Sequence, residues 1–149
     1  MKILNIFILV LSTIQFISCK TYKLKQFTPD KMTIYYLDPL RTSLVSIPCE
    51  RLKYIHDVKS KIISDKKHLS EAFDILNDRS NFAIDSTQKY LDSRIEIIFT
   101  SKDRIIETFC WLIPGRIKFG DYVYKYNEKV EDFLVSEKLI YKLKKKPSH

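Results

Sequence analysis

The sequence predicts an α+β domain: two N-terminal strands, a helix, a four-stranded antiparallel meander and a C-terminal helix. Three features point to it. From Arg94 to Tyr126 apolar residues recur at every second position, broken at short intervals by turn residues. From Leu69 to Leu76 they recur at steps of three and four instead. A last segment opens on Asn127, followed by Glu128, Glu131 and Asp132, where a helix start favours a capping side chain and negative charge.

Taken in chain order, Lys20 to Lys31 is polar and holds Pro29, so it reads as a tether, with one folded domain over 32–149. Met32 to Leu37 is rich in β-formers and is stopped by Asp38-Pro39, which makes it the first strand. Thr42 to Ile47 reads as the second, with Pro48 at its edge. Cys49 to Ser60 fits neither period. Ser64 or Asp65 can cap a helix that presents Leu69, Ala72, Phe73 and Leu76 on one face, and Asn77-Asp78 ends it.

In the meander, Ile95, Ile97 and Phe99 point one way from a strand ending at Thr100. Ser101-Lys102-Asp103 turns into Arg104 to Leu112, Pro114-Gly115 into Arg116 to Phe119, and Gly120-Asp121 into Tyr122 to Tyr126. The closing helix is expected to bury Val130, Phe133, Leu134 and either Ile140 or Tyr141.

Composition excludes some classes. A chain of 149 residues that is 45% hydrophobic and 13% aromatic has the apolar surface to offset its ordering entropy, so it is not a disordered segment. Gly115 and Gly120 are its only glycines, too few for a loop that cradles phosphate. The net charge of +8 is concentrated at the end, in Lys142, Lys144, Lys145 and Lys146. Such a tail is either a solvated helix end or a contact for anionic headgroups or an acidic polymer.

The N-terminus has the plan of an export signal: Met1-Lys2, an apolar stretch from Ile3 to Ile17, and a small residue, Ser18, before Cys19. A spanning helix needs about 20 mostly apolar residues, and this stretch is shorter and interrupted by Asn5, Ser12, Thr13 and Gln15. The order Phe16-Ile17-Ser18-Cys19 resembles the lipobox of bacterial lipoproteins, although Phe16 stands where an aliphatic residue is usual. The resemblance implies cleavage after Ser18, so that 1–18 is a signal peptide and 19–31 a lipidated tether. It also implies acylation of Cys19 and membrane anchoring by lipid on the periplasmic or outer-surface face of the cell envelope. An ordinary secretory signal with a chance cysteine is the other reading.

Three further segments, Ser46-Ile47-Pro48-Cys49, Glu107-Thr108-Phe109-Cys110 and Tyr124-Lys125-Tyr126-Asn127, extend the resemblance to a class of small bacterial lipoproteins over 32–141. It implies location and fold, and brings no activity with it. With Cys19 assigned to lipid, Cys49 and Cys110 remain. They are either a disulfide, as an oxidising compartment would permit, or two buried thiols behaving as small apolar groups.

Candidate chemistry is sparse. His56, His68 and His149 lack the spacing of a zinc site, and no metal or cofactor is expected. Ser64-Asp65-Lys66-Lys67 matches a Ser-x-x-Lys pattern without its companion motifs, and helix capping accounts for it. Neither Cys49 nor Cys110 has a local histidine signature, and no catalytic residue is assigned.

Tyr122, Tyr124 and Tyr126 alternate onto one strand face with Lys118 and Lys125 close in sequence, a candidate binding surface for a sugar, base or protein partner. Half-burial of the tyrosines against the last helix is the plainer reading. Export would remove the chain from nucleic acid. The function this favours is a membrane-tethered envelope lipoprotein acting as a binding or structural module. The alternative is an inhibitor or immunity-type lipoprotein that blocks an enzyme or toxin, and a small hydrolase stands third.

Overall fold

Strand β4 (Asp92–Ser101) has every side chain between its two end residues buried, as only a strand covered on both faces can. It lies inside a seven-stranded antiparallel sheet of order β2-β1-β4-β5-β6-β7-β3 in the computed structural model, which describes residues 28–38, 45–87, 92–113 and 115–141. The expected meander is present as β4, β5 (Arg104–Ile113), β6 (Arg116–Phe119) and β7 (Tyr122–Tyr126), each paired to the next. At the β4–β5 hairpin both Lys102 and Asp103 have positive φ, at 50° and 60°, the hand that matches strand twist. Asp30 Oδ2 accepts from the Lys102 amide and so holds a conformation that lysine disfavours.

β1 (Lys31–Tyr36) pairs with β4 on one side and with β2 (Lys59–Ile63) on the other. Two N-terminal strands are therefore present, but the second is not Thr42 to Ile47. Residues 42–44 lie outside the described residues, and Val45 to Ile47 form no strand; Ile47 is tied to the sheet, accepting from the Ser93 amide and donating to Asp92 Oδ1. β2 is hard to read from sequence because, as an edge strand, it buries Ile63 alone. The three-residue β3 (Phe82–Ile84), also unanticipated, pairs with β7 at the opposite edge. The sheet reaches back to Asp30, whose amide donates to Thr100, and Pro29 is buried, so residues 29–31 belong to the domain.

Two helices cover one face. In α1 (Lys66–Asn77) the cap is Asp65, which accepts from the His68 amide, and Leu69, Ala72 and Leu76 are buried as the spacing predicts. In α2 (Glu128–Ser136) Asn127 caps by accepting from Val130, and Val130, Phe133 and Leu134 are buried. The chain leaves α2 at Lys138, which has φ of 59°. Ile140 is buried beyond the helix and Tyr141 is 66% exposed, which decides between the two. Beneath the helices lie Met32, Ile34, Ile95, Ile97, Phe99, Phe109 and Ile117, all from the same face of the sheet.

The other face is covered by a six-residue 3-10 helix, Cys49–Tyr54, which buries Leu52 with Leu37 and Ile47 and joins Cys49 to Cys110 on β5. β4, from which Ile95, Ile97 and Phe99 were expected to point one way, is thus covered on both sides. Ser93, Arg94 and Glu96 are buried along with Ile98, and an irregularity at Arg94 sets it between the pairs Ser93–Leu112 and Ile95–Trp111.

Candidate functional site

Where α1 and α2 lie side by side, a cleft of about 380 Å³ opens on the helical face. Its apolar lining is Ala72, Ile75 and Phe133, and its polar lining includes His68, Glu71, Lys129, Asp132 and Glu137. Glu137 is the fixed point, with its side chain only 4% exposed. One carboxylate oxygen lies 2.7 Å from His68 Nε2, and the other accepts from Lys61 Nζ on β2. A buried carboxylate with both oxygens engaged joins three elements, and removing Lys61 would take away the cation that faces its charge. Chemically it is an anchor: both oxygens are already committed to donors.

Lys61 leads from the cleft to the edge of the sheet. β2 is bonded to β1 along one flank and ends the strand order on the other, with Lys59, Ser60, Lys61 and Ile62 exposed. Ile62 is 67% exposed on the sheet face opposite the helices. Lys66 and Lys67 follow, also exposed. Cleft and edge together form a partly apolar strip suited to contact, mixed in charge at the cleft and basic at the edge.

Cys49 and Cys110 form a disulfide, with Cα atoms 5.8 Å apart, so the free-thiol reading is set aside. Both are buried and pack with Leu112 and Val123. Cys19 and the basic tail lie outside the described residues, as does His149. His56 pairs with its neighbour Asp57 and is exposed, and Ser64 is exposed and does not cap α1.

The tyrosines and lysines of the candidate surface are not brought together. Lys118 opposes Val123 in the β6–β7 pair, whereas Ile117 opposes Tyr124 and Phe119 opposes Tyr122. Directly opposed residues share a face, so strand alternation sends Lys118 and Lys125 to one side and Tyr122, Tyr124 and Tyr126 to the helical side. There Tyr124 stacks on Phe119 at 4.0 Å, and Tyr126 Oη accepts from Trp111 Nε1. Burial, with a smaller opposing contribution from that hydrogen bond, raises the Tyr126 pKa. Only Tyr122 is well exposed, at 59%.

Two carboxylates that the sequence did not single out are shifted in opposite directions. Asp85 is held below the usual carboxylate range, first by the Thr87 hydroxyl and then by Arg116, whose Nε donates to its Oδ2. It fastens the end of β3 to β6. Glu96 is pushed up by burial beneath the 3-10 helix; Lys53 pulls it back and Glu50 pushes it further. Its Oε2 and the Ser93 hydroxyl have no hydrogen-bond partner among the described residues. Glu137 and Glu96 carry no local motif; both occupy positions that only the folded chain makes interior.

Among the described residues no cluster of His, Cys, Asp and Glu is placed to hold a metal ion, and no helix is long and apolar enough to cross a membrane. Comparison with protein-family models, with curated proteins and with solved structures gives no match.

Proposed function

We propose that this chain is a lipid-tethered protein of the cell envelope whose domain serves as a binding or structural module. The disulfide carries the reading. It uses both cysteines other than Cys19, and such bonds persist in oxidising compartments outside the cytoplasm. That leaves Cys19, at the end of an apolar signal-like run, as the thiol for lipid. Two or more acyl chains hold a protein on a membrane where one chain, at about 0.8 kcal/mol per buried methylene, binds only marginally. A tethered domain of this kind needs a stable fold and a contact surface, and the strip from the cleft to β2 supplies the latter. No reaction is assigned to it.

Metabolic labelling with a clickable fatty acid tests the reading. The wild-type chain is expected to take the label and fractionate with membranes, and Cys19→Ala to lose both properties. An unlabelled wild type, with Cys19→Ala still membrane-bound, would overturn it.

A further inference from the structure

We infer that the open edge of β2 receives an extended, acidic segment of a partner protein as an added strand. This deepens the binding-module reading and rests on it, although it does not depend on the lipid.

The sheet has two edges, and they differ. β3 is three residues long, and its exit is fastened by Asp85 to Arg116 and Thr87, a short edge that offers little to pair with. β2 is five residues long and bonded to β1 along one flank; among the described residues no strand pairs with its other flank, which presents a row of backbone donors and acceptors. Four of its five residues are exposed, including Ile62.

The side chains specify the occupant. Lys59 and Lys61 share the helical side of β2, whereas Ser60 and Ile62 share the other. A second copy of the same strand fits poorly, because the full-length antiparallel register would set Lys61 against Lys61, and like charges directly opposed are unfavourable. The lysines that exclude a second copy attract carboxylates. Lys61 is already shared with Glu137, so Lys59 is the leading charge, with Lys66 and Lys67 beyond the strand end. The fitting segment alternates, with acidic residues facing Lys59 and Lys61 and aliphatic residues between them facing Ile62. Main-chain hydrogen bonds would give affinity and the alternation would give selectivity.

The test uses the full chain in detergent micelles and two fluorescein-labelled peptides of equal composition. One carries Glu-Val-Glu-Val-Glu and the other Glu-Glu-Glu-Val-Val. Anisotropy is expected to show the alternating peptide binding about tenfold more tightly, the order of two or three cross-strand pairs. Amide hydrogen exchange should slow within Lys59–Ile63. Lys59→Glu, an exposed substitution whose folding circular dichroism verifies, should weaken that peptide several-fold.

Equal binding of the two acidic peptides, protection elsewhere, or no saturation at about 1 mM overturns the inference. Concentration-dependent protection of β2 without peptide also overturns it, in favour of a second copy. If peptide binding fails while the acyl label is intact, the edge is rejected alone. If the label is absent while peptide binding persists, the tether is rejected alone.

Discussion

The two faces of the sheet are closed by different means. On one, α1 and α2 cover a nearly continuous apolar layer. Several of its aromatic rings meet edge to face, among them Phe73 with Phe99 at 5.1 Å and Phe109 with Phe119 at 5.4 Å. On the other, a 3-10 helix packs with Leu37, Ile47, Ile55 and Val58 over a strand that buries Ser93, Arg94 and Glu96, and is bonded covalently to β5. Two amphipathic helices bring enough buried side chains to hold themselves in place. Six residues of 3-10 helix, with poorer hydrogen-bond geometry and Cys49 and Leu52 as their only buried residues, do not, and the disulfide compensates.

The largest expected effect is on the helical face. Phe109 is fully buried between Phe99 and Phe119, so Phe109→Ala should lower stability by about 3–5 kcal/mol, measured by urea unfolding. A loss below about 1 kcal/mol would mean that this face repacks and is not the main source of stability. Replacing Cys49 and Cys110 together by Ala should lower stability by about 2–4 kcal/mol. Hydrogen exchange should then speed up in Cys49–Tyr54 while α1 and α2 keep their protection; uniform acceleration would break the contrast between the faces.

Asn127→Ala removes the α2 cap and the bond from Asn127 Nδ2 to Asn81 Oδ1, at a cost of about 1 kcal/mol. Thermal melting checks it, and an unchanged midpoint would show that α2 is held by packing alone.

The smallest effect is expected at Glu96 and is a matter of sign. Because burial raises its pKa in the folded state, its contribution is fully present below the unfolded value and is lost as pH rises through the folded one. Glu96→Gln should therefore flatten the stability profile on that side and gain on wild type as pH increases. Asp85, whose pKa is lowered, acts in reverse, contributing above its unfolded value and losing that contribution in acid. A Glu96→Gln profile parallel to wild type would show that Glu96 ionises freely and that its cover is open to water.

The meander, both capped helices and the apolar positions of the helical face were legible because their signals are local. Asn127 and Asp65 report helix starts through a hydrogen bond to a backbone amide a few residues on, and alternation from Ile95 to Phe99 reports a strand without reference to a partner. Neither Lys59–Ile63 nor Phe82–Ile84 could be read this way, since an edge strand buries too little to leave a period.

Whether Cys49 met Cys110 depended on a separation of 61 residues closing to a Cα distance of 5.8 Å, which no local pattern encodes. The separation of Tyr124 from Lys118 was likewise a matter of register, because a shift of one residue in the β6–β7 pairing exchanges the faces. The sequence by itself determined the capped helices, the meander strands and their turns, since each depends on contacts within a few residues. Tertiary structure alone decided which strand lies at the edge, which cysteines join and which carboxylates become interior, because those depend on residues distant in sequence being brought to one face.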